Sequence, residues 1–393
     1  DEEYRVASVI DRVNTTFDAL QSTTMSCVQC HSHPYDPIRH KEYYQIMAFF
    51  NNTADSDHNH NEPRLRVLDE KITKKTNQVL KWVSENGTKK EKKIFEKFIK
   101  FIDPVYHANQ FKVIDLEKAF FLSSFLGFRN GGEVLLKNVN SLENRALYFS
   151  NFVYKNGVTI TFRKDSSKGE IIGKINLDKD KKTNIWTEGY DDQKVTTLKI
   201  PSFKGSFDLY ISVNTSEKVK KSDVLLDLEW ISFLPEIPGK NKPGYSRIKN
   251  QFINLLSGTE FSDLHPVTLE NPDHMKRKTY MFDRGNWMTP KEEVEPNVPS
   301  NLNDWEDQWE KNRLGFAKWI TSEKNPLTAR TIVNRIWYQI FGRGIVNTIE
   351  DMGTQSESPS HPALLDWLSY EFMTSMDWSV KRLIKTILLS STY

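Results

Sequence analysis

The sequence predicts an α+β multidomain fold, with mostly helical N- and C-terminal domains flanking an all-β jelly-roll sandwich. Three observations carry that expectation. Val6, Val9, Ile10, Val13 and Phe17 recur at helical spacing with polar residues between them. Between about residue 107 and residue 235, short runs rich in β-branched and aromatic residues are separated by Gly, Asn and Asp. From Trp305 onward the helical period returns.

Composition sets the outer bounds. The 393 residues suggest two or three domains, and 38% hydrophobic with 27% charged residues suits packed cores rather than disorder. The 54 basic and 52 acidic residues leave a formal net charge of +2, which gives no reason to expect nucleic acid or an anionic membrane as partner. No apolar run reaches the roughly 18 residues that a bilayer span needs. The chain opens on Asp1-Glu2-Glu3-Tyr4-Arg5 without a signal peptide and closes on the uncapped apolar stretch Leu383 to Tyr393. Both ends read as interior sequence, so a fragment of a longer chain is expected.

Taken in order, residues 1 to about 26 read as a helix, and Lys41 to Phe50 as a second, shorter one. A polar loop from Asn51 to Asn61 holds His58 and His60 as possible extra metal ligands. Residues 64 to 102 read as charged and helical, with Lys89-Lys90-Glu91-Lys92-Lys93 as a solvated face, and Asp103-Pro104 ends them. Strand-like runs then follow at 134–136, 146–149, 158–162, 171–175, 195–200, 207–211 and 225–233, with Asn156-Gly157 as a turn signal. Such density indicates a sandwich in which Trp230 is core. Residues 237–300, rich in Pro, Asn and charge, read as an ordered connector. Beyond it, Leu314, Ala317, Trp319 and Ile320 line one helix face, and Thr328 to Phe341 forms another helix stopped by Gly342. Pro362 to Phe372 is capped by Ser360, and Val380 to Leu389 is the last helix. The expected boundaries are 1–62, 63–105, 106–236, 237–300 and 301–393.

Chemistry concentrates in Cys27-Val28-Gln29-Cys30-His31-Ser32-His33-Pro34-Tyr35-Asp36-Pro37, which holds both cysteines and two of the nine histidines. Cys-x-x-Cys-His is the spacing of c-type haem attachment, with His31 as proximal iron ligand. Met47, Met25, His40 and His33 are the candidate distal ligands. The same residues also suit a zinc site of Cys27, Cys30, His31 and His33, or a Cys27–Cys30 disulfide. Asp36 either orients His33 or His31 or caps the turn at Pro37. A metal-dependent hydrolase using His31, His33 and Asp36 lacks a second carboxylate cluster. Near the C-terminus, Arg330, Asn334, Arg335, Asp351 and His361 suit a polar catalytic pocket, or a buried network that holds helices together.

Longer strings around these residues resemble known families. Arg12-Val13-Asn14-Thr15-Thr16, the Cys27-to-Ile38 segment and Glu42-Tyr43-Tyr44 are similar to the end of the planctomycete cytochrome-associated domain PSCyt2 (DUF1549). Asn325-Pro326-Leu327-Thr328-Ala329-Arg330, Asn334-Arg335-Ile336-Trp337 and Ser360-His361-Pro362-Ala363-Leu364-Leu365-Asp366-Trp367 resemble the partner domain PSD1 (DUF1553). In that family a further cytochrome domain often precedes this region. The middle region, through Gly157 to Arg163, Lys168 to Gly173, Trp186, Gly205 to Tyr210 and Leu228 to Phe233, resembles a family 6 carbohydrate-binding module. This resemblance implies a sugar site of stacking aromatics and hydrogen-bonding Asn or Asp, with Trp186, Tyr190 and Asp227 as candidates, and a structural calcium. Where that family often has Asn before the last strand's Trp, this chain has Asp227 and Glu229.

Together these readings predict an exported periplasmic or cell-surface haem c protein, passing electrons to or from a cytochrome or other redox partner near polysaccharide or oligosaccharide. If catalytic, it is a haem-dependent oxidoreductase acting on carbohydrate. The alternative is a non-catalytic surface glycan binder whose Cys-His site is a structural zinc site.

Overall fold

The computed structural model describes residues 2–55, 63–122, 125–180, 194–257 and 264–393. Two compact units result. Ala54–His274 forms one, and Glu2–Thr53 joins Met275–Tyr393 in the other.

Helix α1 (Glu2–Gln21) buries Val6, Val9, Val13 and Phe17, the stripe that the helical period predicts. Helix α2 (His40–Asn51) starts on the buried Glu42. Its carboxylate accepts the Arg39 N–H at 2.8 Å, the Ser300 N–H at 3.0 Å and the Ser300 hydroxyl at 2.8 Å. One side chain thus satisfies the start of the helix and ties it to a distant segment of the same unit.

The Ala54–His274 unit opens with strand β1 (Arg64–Arg66) and helices α3 (Glu70–Asn86) and α4 (Lys89–Phe101). The single charged stretch read from sequence is therefore a short strand and two helices. Gly87 follows the first helix, and Thr88 caps the second, accepting from Glu91 N at 3.1 Å while Glu91 accepts from Thr88 N at 2.7 Å. Strands β2 (Tyr106–His107), β3 (Lys112–Val113), β4 (Ala119–Leu122), β5 (Phe125–Phe128), β6 (Gly132–Asn140) and β7 (Ala146–Val153) come next. They are followed by β8 (Val158–Lys164), β9 (Ile171–Leu177), β10 (Lys194–Lys199), β11 (Ser206–Thr215) and β12 (Leu226–Leu234). All seven strand-like runs are strands. They form a sandwich of two antiparallel sheets, ordered β10-β7-β12-β5-β4 with β2 on β12, and β3-β6-β11-β8-β9.

Helix α5 (Tyr245–Leu256) and strand β13 (Leu264–Pro266) complete this unit. Phe95, Phe98 and Ile99 of α4 and Phe252 and Leu255 of α5 share one core with Tyr148 and Trp230 of the first sheet. Trp230 is core, edge-on to Phe98 at 5.9 Å. Strand β13 pairs with β1, and Ala54 N bonds Leu269 O at 2.9 Å, so the two ends of the unit lie together.

The second unit resumes with the hairpin β14 (Thr279–Asp283) and β15 (Asn286–Val294), then α6 (Arg313–Ile320), α7 (Thr328–Phe341), α8 (Pro362–Met373) and α9 (Val380–Leu388). The expected connector at 237–300 is thus a helix, a strand and a hairpin. Ile248, Phe252, Leu255 and Leu256 do carry a helical stripe, interrupted in sequence by polar residues. Helix α6 starts at Arg313 rather than Trp305, because Asn312 Oδ1 caps Gly315 N at 3.0 Å. Leu314 and Ala317 lie exposed, and Phe316, Trp319 and Ile320 face inward. The N-cap of α8 is His361, since the Ser360 hydroxyl donates instead to Ile345 O at 3.1 Å.

Val9, Val13, Phe17, Tyr43, Tyr44 and Phe49 from the N-terminal segment pack with Phe282, Phe316 and Trp319 from the C-terminal one. The two ends of the chain, expected as separate domains, therefore share a core. Trp319 is fully buried, lies 5.5 Å from the Phe316 ring and donates its indole N–H to Asn303 O at 2.7 Å. Replacing Trp319 by Ala is expected to destabilise this unit by about 3–5 kcal/mol. Urea unfolding followed by circular dichroism measures it, and a loss below about 1 kcal/mol would show that the core does not depend on this ring.

Candidate cofactor and glycan sites

The Cys-x-x-Cys turn is a single 3₁₀ turn, Ser26–Gln29, closed by Cys30 N to Cys27 O at 3.3 Å. Val28 is buried and anchors the turn, while Cys27 and Cys30 are free and exposed. Two elements hold the turn. The Gln29 carbonyl accepts both the Tyr44 hydroxyl at 2.8 Å and His40 Nε2–H at 3.0 Å, each from α2. The Cys30 thiol donates to Arg284 O at 3.4 Å, at the tip of the β14–β15 hairpin. At that tip Gly285 has φ of +74°, and a Cβ there would lie 3.0 Å from Cys30 Sγ. Burial pushes the Tyr44 phenol well above its usual range, and the nearby Cys30 adds to it, so Tyr44 stays a proton donor.

Carbonyl acceptors fix which histidine nitrogen has a free lone pair. His31 is exposed, with Nδ1 at 2.7 Å from Ser32 O. A carbonyl only accepts, so Nδ1 carries the proton and Nε2 is free to bind a metal. For His33 the logic reverses. Its Nδ1 accepts from Asp36 N at 2.7 Å and Tyr35 N at 3.3 Å, so the neutral ring carries its proton on Nε2 and offers no free lone pair. His40 commits Nε2–H to Gln29 O and keeps only Nδ1. Asp36 Oδ2 lies 3.6 Å from His33 Nδ1, an ion pair only when that ring is protonated, and Asp36 makes no hydrogen bond to His31 among the described residues. Its Oδ1 accepts Thr354 N at 2.6 Å, and a Cβ on Gly353 would lie 2.5 Å from its Oδ2.

Met47 and Met25 are buried in the core, so their sulfur atoms are closed to a ligand on the surface of the turn. Among the described residues, no three His, Cys, Asp or Glu side chains are placed to hold a metal ion. His58, His60, Trp186 and Tyr190 lie outside the described residues.

The C-terminal candidates have separate partners. Arg330 Nε reaches Asp366 at 2.9 Å, and its Nη1 donates to Pro326 O. Asn334 is fully buried and spans Val346, accepting its N–H and donating to its carbonyl, both at 2.9 Å. Arg335 donates to Asp18 O at 2.6 Å and Ala19 O at 2.8 Å. Asp351 Oδ1 accepts Gly353 N at 2.7 Å, and His361 Nδ1 lies 3.1 Å from Ser360 Oγ. These bonds hold helix α7 to α1 and shape the following loops.

In the sandwich, Asp227 lies on the outer face of the six-stranded sheet. Register places Phe120, Gly127, Asp227 and Phe152 in one row across β4, β5, β12 and β7. Asp227 is 5% exposed, its Oδ2 accepts the Tyr154 hydroxyl, and its Oδ1 has no hydrogen-bond partner among the described residues. Burial raises the carboxyl to about 6, against the Tyr154 hydrogen bond that lowers it. Sequence reasoning missed Tyr154, Tyr44 and the Arg284-Gly285 turn. Each lies far in sequence from the group it holds.

Two outcomes follow. Because Asp227 binds its proton more tightly folded than unfolded, its contribution is fully favourable below about pH 4 and is lost as pH rises through about 6. The loss is about 3 kcal/mol at most. Asp227→Asn should therefore raise stability by about 1–3 kcal/mol at pH 7 and change it little at pH 4, by urea titration at both values. A variant less stable at pH 7 would contradict the buried-charge account. Gly285→Ala should cost about 1 kcal/mol through its positive φ and speed alkylation of Cys30 relative to Cys27, read by mass spectrometry. An unchanged ratio would show that the hairpin tip does not hold this thiol.

Among the solved structures to which this chain is similar are the following three. CsCBM6-3 from Clostridium stercorarium in complex with cellobiose is 16% identical, covering 34% of this chain and 94% of that one, with a TM-score of 0.27. A family 6 carbohydrate-binding module from Clostridium cellulolyticum in complex with xylose is 18% identical, at 33% and 95% coverage and a TM-score of 0.25. A β-1,3-glucan binding CBM6 from Bacillus halodurans is 14% identical, at 33% and 95% coverage and a TM-score of 0.24. No curated protein matches the chain. Residues 1–55 match the family PSCyt2, a protein of unknown function (DUF1549), and residues 312–393 match PSD1, a protein of unknown function (DUF1553).

Proposed function

We propose that this chain is an exported c-type haem protein that works in electron transfer at polysaccharide. One observation carries the reading. The imidazole of His31 is exposed with Nδ1 committed to the Ser32 carbonyl and Nε2 free, beside two free, exposed thiols on one turn. That donor set fits covalent haem: Cys27 and Cys30 would hold it through thioethers and His31 through Nε2. Bound haem supplies one-electron transfer.

The chain's own residues do the positioning. Tyr44 and His40 fix the Gln29 carbonyl, the Arg284 carbonyl orients Cys30, and Ser32 sets the tautomer of His31. With Met47 and Met25 in the core and His33 Nδ1 accepting from Asp36 N, His40 Nδ1 or a group from a partner would be the remaining candidate for a second iron ligand. Thioether attachment takes place after export, which gives the periplasmic or cell-surface location. The glycan partner is supported by the half-exposed Phe120 and Tyr154 rings on one side of the sandwich, since sugar rings stack on aromatics. A structural zinc site is less well supported, because His33 has no free lone pair.

The test is expression with a cytochrome c maturation system, followed by acid-acetone extraction and a pyridine haemochrome spectrum. Covalent haem is expected in the natural chain and none in the doubly substituted Cys27→Ser, Cys30→Ser chain. His31→Ala should keep the covalent attachment and change the iron spectrum. A natural chain without covalent haem, holding zinc by elemental analysis, would overturn the redox reading.

A further inference from the structure

The small net charge of +2 hides a local excess of cations at one corner of the Ala54–His274 unit. Three contacts build that corner. Trp82 of α3 donates its indole N–H to Pro238 O at 2.9 Å. A Cβ on Gly87, just before α4, would lie 2.8 Å from Pro238 Cγ. A Cβ on Gly244, just before α5, would lie 3.6 Å from the Trp82 ring. The first turns of α4 and α5 and the segment after β12 therefore meet, and they carry Lys89, Lys90, Lys240, Lys242 and Arg247. All five side chains are exposed, and none has an ion-pair partner among the described residues.

The carboxylates of these segments are engaged elsewhere. Glu91 accepts from Thr88 N at 2.7 Å and Thr88 Oγ1 at 2.8 Å, Glu85 faces Lys81 at 3.9 Å, and Glu236 faces Lys199 at 3.4 Å. The backbone under the cations is fixed, with Lys242 N on Gly239 O at 2.9 Å and Tyr245 N on Lys242 O at 3.2 Å. Five like charges gathered on a fixed support repel one another, and a bound polyanion offsets that repulsion. Two features choose among polyanions. Trp82 and Tyr245 are half-buried, so they offer no open face for stacking a base, and no large apolar side chain of these segments is exposed for insertion into a membrane. Four of the five cations are lysines, which meet an anion as point charges without the two-pronged fork that suits phosphate.

We propose that this corner is an electrostatic docking surface for an acidic polysaccharide, a chain bearing carboxylate or sulfate groups. The choice of polysaccharide rests on the reading above that the protein works at polysaccharide. The surface itself uses none of the sandwich rings.

Isothermal titration of the whole chain with polygalacturonate, dextran sulfate and neutral cellohexaose tests it. At least one acidic polymer should bind, and added salt should weaken that binding. The chain carrying Lys89→Gln, Lys90→Gln, Lys240→Gln and Lys242→Gln should bind the acidic polymer about tenfold more weakly, since each exposed charge contributes a few tenths of a kcal/mol. A second chain makes the same charge change at exposed lysines of β3, β6, β9 and the loop before β11: Lys112→Gln, Lys137→Gln, Lys174→Gln and Lys204→Gln. It should bind within about twofold of the natural chain. Equal losses in the two variants would reduce the effect to net charge and overturn the docking surface. Tighter binding of single-stranded DNA or phosphatidylglycerol vesicles, lost in the first variant, would overturn the choice of polysaccharide. Binding of cellohexaose without either acidic polymer would overturn this proposal and leave the glycan reading standing. Binding of none of the three would overturn both.

Discussion

Phe49 holds the non-sandwich unit together. Its ring stacks against Trp305 at 5.2 Å and against Phe316 at 5.1 Å, so a residue of helix α2 fills the gap between two residues from the far end of the chain. Aromatic stacking of this kind buries a large apolar area in a fixed geometry. Because residues 54–274 intervene, the N-terminal segment cannot complete its core from its own neighbours in sequence. The regions that match PSCyt2 and PSD1 are thus parts of one folded unit, and an intact Cys-x-x-Cys turn depends on both.

That dependence reaches the site through few bonds. Helix α2 is oriented by Phe49 and Glu42, and it presents Tyr44 and His40 to the single carbonyl of Gln29. The hairpin presents Arg284 O to Cys30 from the other side, with Phe282 of the same hairpin edge-on to Tyr44 at 5.1 Å. Asp36 then fastens the segment after His31 to the loop at Gly353 and Thr354. The exposed thiols and His31 sit on a support contributed by α2, the hairpin and a loop near the C-terminus. Such support from three separate segments limits the movement of the turn.

The strands were legible in sequence because each alternates or runs apolar between turn signals, and that pattern is local. Trp230 was legible as core for the same reason. Helix α5 and the β14–β15 hairpin were not, because Ile248, Phe252 and Phe282 are scattered among Pro, Asn and charged residues and gain meaning only from their packing partners. At the site, residue types were legible and roles were not. His31 and His33 look alike in sequence, yet one is turned toward a carbonyl and the other toward two amide N–H groups. Arg330, Asn334, Asp351 and His361 read as one cluster in sequence, but their bonds lead to different segments.

The contrast between His31 and Asp227 shows what each unit contributes. At His31 a carbonyl one residue away commits one nitrogen and frees the other, so local backbone alone sets the tautomer. At Asp227 strand register, not local sequence, brings a bare glycine and two rings around a carboxylate and leaves one oxygen without a partner. An unpaired buried acceptor is costly, by roughly 1–3 kcal/mol for a neutral group and more for a charged one. Asn at this position would lower that cost and keep the Tyr154 contact.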